Sequence, residues 1–273
     1  MRDPTIKNIP ASIRQKLLNL ARQRNDDFGL ILTKYGLERI LFRLSKSKYR
    51  EVFVLKGALL FELWTKERYR PTRDAAERIK EDADYEGVRV TFTAFLEKAQ
   101  IPIQIDIGFG DAITPGPVET NYPALLDLSS PHLLAYPRET VVSEKLEATV
   151  KLGIANTRMK DFHDLHSLTN TFEFDGKTLT EAVRATFKRR GTELPPDGVP
   201  LAFTSEFYED ENKVRQWNAF CNKNKPYVQQ TEFRNVVGRL ASFLVPVLRS
   251  VQQGQAWDSI WKPVRAWQPV PHQ

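Results

Sequence analysis

Phe53-Val54-Leu55-Lys56-Gly57-Ala58-Leu59-Leu60, continued by Arg70-Pro71-Thr72-Arg73-Asp74, is the stretch on which the reading of this 273-residue chain turns. Val52 to Leu55 is an apolar, β-prone run. Gly57 interrupts it, and glycine tolerates positive φ or a close backbone approach. Ala58 to Trp64 contains no breaker and repeats apolar residues at helical spacing. The stretch therefore reads as a buried strand, a glycine turn and a short helix. Pro71 favours an extended Arg70 before it, so the segment ends extended, on an acid. A tight strand-to-helix turn aims backbone N–H groups at a phosphate. A carboxylate beside such a cradle is what metal-dependent phosphoryl transfer needs.

Downstream of it, Val88 to Leu96 and Ile101 to Phe109 alternate apolar and polar residues. Both are expected as half-buried strands, joined through Lys98-Ala99-Gln100 as an antiparallel hairpin. Asp106 interrupts the second, Ile-rich strand. A carboxylate there is costly to bury unless it is paired or binds a metal; on a solvent-facing strand surface it is an ordinary acid. Helices are expected at 10–24 and 28–44, and again at 137–152, 160–168 and 178–190. Arg43, Lys46, Lys48 and Arg50 form a basic run after the second, either a solvated face or a nucleic-acid contact. Asp161 and Asp164 are three residues apart and share a face of their helix. His163 and His166 nearby read as structural. Two more helices are expected between 206 and 251. The Trp- and Pro-rich tail from Gln252 is expected to have little regular structure.

Size and composition narrow the class. With 273 residues and 41% hydrophobic content, the chain can bury a sizeable core. Cys221 is the one cysteine, so no intrachain disulfide forms, in keeping with a reducing compartment. No apolar run approaches the ~20 residues that span a bilayer, and the N-terminus has no apolar signal core. A cytoplasmic protein with no membrane partner is expected. A net charge of +6 and a pI near 9.3 are compatible with a nucleic-acid partner.

The order of these pieces resembles the nucleotidyltransferase fold, and within it the AbiEii/AbiGii family of toxins. The Leu55-Lys56-Gly57-Ala58 turn, Ile103-Gln104-Ile105-Asp106-Ile107, Glu144-Lys145-Leu146-Glu147-Ala148 and Lys160-Asp161-Phe162-His163-Asp164-Leu165 carry the resemblance. It runs over roughly residues 50 to 190 and implies a mixed α+β fold: a small mixed sheet flanked by helices, with a C-terminal helical subdomain. The expected domains are an N-terminal helical elaboration (1–50), the nucleotidyltransferase-like core (51–172) and the C-terminal helical subdomain with its tail (173–273).

By the same resemblance the chain is a toxin of a bacterial toxin–antitoxin pair. It would transfer a nucleotide from a nucleoside triphosphate to an RNA hydroxyl, with tRNA foremost. The implied partners are the triphosphate, the RNA and a cognate antitoxin, and the implied cofactor is Mg²⁺ or Mn²⁺. Lys56, Gly57, Ala58 and Arg73 would hold phosphates. Asp74 and Asp106 would bind metal, or Asp106 would take the acceptor proton. Lys145 would neutralise the triphosphate, and Asp161 would orient Lys145 or the nucleotide. One departure stands out. The family pattern has a second acid two residues after Asp74, and this chain has Ala76 there. Asp82-Ala83-Asp84 is formally a D-x-D, set in a charged run. The other expectation is therefore an inactive relative that binds nucleotide, RNA or a partner protein.

Overall fold

The computed structural model describes residues 9–65, 69, 87–255 and 257–270. They divide into two units. The first takes in the described residues up to Gly110 and Glu119–Ala135; the second takes in Asp111–Val118 and the chain from Tyr136 onward. Small sheets flanked by helices make the fold mixed α+β, as expected.

In the first unit, α1 (Ile9–Arg24) and α2 (Phe28–Ser45) come first. Asp27 caps α2 by accepting from the Leu30 amide at 2.9 Å. β1 (Val54–Leu55) follows, then α3 (Leu59–Trp64), whose Leu59, Leu60 and Phe61 are buried. β2 (Gly87–Leu96) and β3 (Ala99–Gly108) form an antiparallel hairpin turning at Glu97-Lys98, one residue earlier than expected. Ile101 and Ile103 are buried against α2. Gly36 permits that approach, since a Cβ there would lie 2.8 Å from Ile103 Cδ1. The half-buried reading fails on β2: Val88, Val90 and Phe92 are 50%, 39% and 38% exposed. Alternation gives them the right face, but α2 packs on β3, and β2 is the far strand of a two-stranded sheet.

Two short strands escaped the sequence reading. They are β4 (Val118–Asn121) and β5 (His132–Ala135), which pairs in parallel with β1, Val54 opposite Leu134. The three-stranded sheet has the order β1-β5-β4. Each strand has four residues or fewer, too short to show a period.

The second unit is mainly helical, with one small sheet. α4 (Arg138–Leu152) starts after Pro137 and stops at Gly153, and α5 (Met159–Thr171) follows. β6 (Phe174–Asp175) leads into α6 (Gly176–Arg190), capped by Asp175. Beyond the short α7 (Ser205–Tyr208) come α8 (Glu211–Lys223) and α9 (Phe233–Gln253). Phe162, Phe207, Trp217 and Phe233 make the aromatic core, with Phe162 and Phe233 edge to face at 5.3 Å. No helix among the described residues is long and apolar enough to cross a membrane.

The tail corrects the sequence reading. It forms β7 (Ser259–Lys262) and β8 (Ala266–Pro269), which join β6 in a three-stranded antiparallel sheet. Its tryptophans drive the folding: Trp261 is fully buried, donates to the Thr169 carbonyl at 2.8 Å and packs on Phe243. Trp267 donates to the Phe243 carbonyl at 2.9 Å. Prolines suggested irregularity, but Pro263 sits in the turn, where it removes no ladder hydrogen bond. Trp261→Ala should therefore destabilise the protein by ~3–5 kcal/mol, read from urea unfolding. A loss under 1 kcal/mol would mean that the tail is only loosely attached.

Candidate active site

A buried charge cluster grows from the pairing of α4 with α5. Val142, Leu146 and Thr149 bury one face of α4, and Lys145 points across to α5. There Asp161 and Asp164, one turn apart, both receive its ammonium: Lys145 Nζ is 2.5 Å from Asp161 Oδ1 and 2.9 Å from Asp164 Oδ2. Arg158 closes the group, its Nε donating to Asp161 Oδ2 at 2.5 Å. The two carboxylates are 1% exposed, so this is a buried ion network with formal charges summing to zero.

Its titration follows from that arrangement. Burial alone would push the Lys145 ammonium down, but Asp161 and then Asp164 outweigh it, and the pKa is raised. Burial would likewise push the Asp161 carboxyl up; Lys145 and Arg158 outweigh that and hold it below the usual carboxylate range. Both shifts keep the charges in place at neutral pH. The sequence joined Lys145 to Asp161. It placed Asp164 on the same helix face without giving it a role, whereas Asp164 holds the same ammonium.

A second network lies further along α4. Arg190, at the end of α6, bonds Glu144 and Glu147 at 2.7 Å each, and Thr192 donates to Glu147 at 2.5 Å. The Tyr136 hydroxyl donates to Asp111 at 2.7 Å, and Asp111 lies 3.7 Å from Arg190. Burial, then Glu144 and Asp111, push the Tyr136 phenol well above its ordinary value. Glu147, 2% exposed, was missed as a buried acid; its i+3 spacing from Glu144 was the available signal. Lys213, also unforeseen, is buried and donates to the Asn156 carbonyl at 2.9 Å.

The remaining expected residues belong to the first unit. Lys56 follows β1 and is partly exposed. Gly57 has φ +83°, and a Cβ there would meet nothing within 4 Å, so conformation rather than space calls for glycine. Ala58 precedes the first turn of α3. Asp106 faces Arg89 directly across the hairpin, and the guanidinium grips it with two bonds of 2.7 Å. Arg73, Asp74 and the Asp82-Ala83-Asp84 triplet lie outside the described residues, as does nearly all of the charged segment 66–82.

Mg²⁺ takes an oxygen shell that includes one or two carboxylates. Among the described residues no group of three His, Cys, Asp or Glu comes together to hold a metal. Asp106 is the one expected metal ligand among them, and Arg89 already engages both its oxygens. The described residues alone do not fit a metal centre.

A family model described as the nucleotidyl transferase AbiEii toxin of a type IV toxin–antitoxin system matches residues 73–239, more than half of the chain. No curated protein matches it.

Two outcomes test the α5 site. Lys145→Met strands two buried carboxylates and should cost ~3–5 kcal/mol of stability, with much of it restored by adding Asp161→Asn and Asp164→Asn. A free-standing Lys145→Met loss that the added changes leave unrelieved would contradict the network. His166 supplies the second. Burial, then His163 and Arg239, lower its pKa from 6.5 to about 4. The unfolded chain therefore binds more protons than the folded one between those values, and stability should fall as pH drops from 6.5 towards 4. His166→Gln should remove that part of the slope in melting temperature against pH.

Proposed function

The chain belongs to the AbiEii family of nucleotidyl transferase toxins of type IV toxin–antitoxin systems, and from that we propose that it transfers a nucleotide from a nucleoside triphosphate to an RNA hydroxyl, with tRNA as the acceptor class. The observation that carries this reading is the Lys145–Asp161–Asp164 network, which lies within the matched span. Membership in a toxin–antitoxin family implies a cognate antitoxin, and the reading puts the reaction in the cytoplasm.

In the proposed reaction Lys145 is a mobile point charge that neutralises the triphosphate. Asp161 and Asp164 keep it protonated and aimed until substrate arrives. Lys56 and the Gly57–Ala58 backbone hold phosphates at the turn into α3, and Arg73 adds a guanidinium to them. Once Arg89 shifts to an incoming phosphate, Asp106 would bind metal or take the proton of the attacking hydroxyl. Mg²⁺ or Mn²⁺, held by Asp74 with or without Asp106, would supply charge neutralisation at the transferring phosphoryl group.

Lys145→Arg keeps the ion network but replaces the point charge with a planar fork. It should leave the melting temperature near wild type while lowering nucleotide incorporation at least about 10²-fold. Asp74→Asn should abolish both incorporation and growth arrest. Wild-type incorporation in both variants would refute the assignment.

Two observations favour a second reading, that of an inactive relative that binds nucleotide, RNA or a partner protein. Ala76 stands where the family pattern has its second acid, and Asp106 is held by Arg89. Titrating Mg²⁺–nucleotide binding and turnover separately decides between the two. Binding without turnover supports the second reading, and turnover excludes it.

A further inference from the structure

We infer that the surface made by the last turn of α2 and the turn after it, residues 42–50, binds single-stranded nucleic acid by stacking and charge. This deepens the proposed function by giving the RNA acceptor a seat on the first unit. It rests on that reading only for the choice of RNA over DNA.

Two rings, Phe42 and Tyr49, flank the cations Arg43, Lys46 and Lys48 on this surface. Phe42 carries Arg39 on its ring at 4.9 Å and Lys46 at 5.7 Å. Tyr49 carries Lys48 at 5.1 Å and is 50% exposed. Arg43, Lys46 and Lys48 are exposed, and none has a carboxylate partner among the described residues. Glu51, the acid that follows the run, is engaged by Arg50 at 3.2 Å, and Arg50 also reaches Glu119 at 2.9 Å.

The turn is fixed in shape rather than merely charged. Ser47 Oγ donates to the Leu44 carbonyl at 2.8 Å and accepts from the Tyr49 amide at 3.1 Å. The Val52 amide donates to the Tyr49 carbonyl at 3.0 Å. The Tyr49 ring therefore projects from a pinned backbone. Helix electrostatics explains part of the pattern, because cations near a helix C-terminus are stabilising. It accounts for Arg43 and Lys46. It does not account for Lys48 beyond the helix, nor for a half-exposed tyrosine with a cation on its ring.

An exposed tyrosine and a partly exposed phenylalanine flanking a run of cations are what a single strand requires, since unstacked bases find ring faces and the backbone finds positive charge. A protein partner of acidic character would use the cations and leave the Tyr49 face without a purpose. Duplex DNA would likewise use the charge but offer no open base.

The test is fluorescence anisotropy of the full chain with a labelled oligouridine of about twelve nucleotides, within the usual ~4–16-nucleotide footprint. Nucleoside triphosphate and metal are left out. Arg43→Gln/Lys46→Gln/Lys48→Gln should weaken binding and reduce the slope of log K against log salt by about 2, from ~0.7 per phosphate contact. Tyr49→Ala should weaken binding about 5- to 100-fold with the salt slope unchanged, and Tyr49→Phe should restore it. Circular dichroism confirms the fold of each variant. The inference is overturned if wild type does not bind, if neither substitution set weakens binding, or if duplex DNA of equal length competes as well as the single strand. Binding through this surface without nucleotide transfer keeps the inference and removes the proposed function. Transfer that is unaffected by these substitutions does the reverse.

Discussion

One ammonium between two buried carboxylates is the constraint from which the second unit is built. Lys145 comes from α4, and Asp161 and Asp164 come from α5. The pair of helices must therefore meet with one face of α5 turned to one residue of α4. An unpaired carboxylate at 1% exposure would cost several kcal/mol, so the arrangement strongly disfavours other registers. Around this polar contact the packing is apolar and aromatic: Phe162 and Leu165 on α5 face inward, and α9 lays Phe233, Val236 and Leu240 along the unit. The charges fix which way the helices face, and the hydrophobic surface supplies the driving force.

The same arrangement shapes the chemistry. A lysine whose charge is already balanced by two carboxylates is a poor anion trap at rest. In the proposed reaction a polyphosphate competes with the two carboxylates for that ammonium. Asp106 stands in a similar state, engaged by Arg89 on the neighbouring strand. Both expected reactive groups thus rest in internal ion pairs, and work would begin by exchanging partners.

Much of this was legible in the chain. The main helices declared themselves through apolar spacing and stop signals such as Gly153 and Gly191, because those signals are local. The hairpin β2–β3 did so through alternation. β5 did not, because four residues carry no period and its parallel partner β1 is remote in sequence. The tail hairpin failed for another reason: nothing local reveals that Trp261 has a slot beside Phe243 and a carbonyl at Thr169. At the site, Lys145 and Asp161 were read together, while Asp164 was undervalued. Its i+3 spacing placed it on the right face, but only tertiary packing decides which partner a buried acid meets.

The path of the chain has a consequence for how the protein can be divided. The backbone enters the second unit at Asp111, returns to the first at Glu119, and leaves it again at Tyr136. The short excursion is stitched down by the Thr114 amide and carbonyl, both bonded to the Thr140 hydroxyl, and by Asp111 beneath Tyr136. No single scission yields two whole modules. A fragment starting at Tyr136 would lack Asp111 and Thr114, exposing a phenol and a threonine that the intact chain keeps satisfied. The two units are thus sewn into one inheritance, and recombination that shuffles either of them alone would have to carry eight residues from the middle of the other.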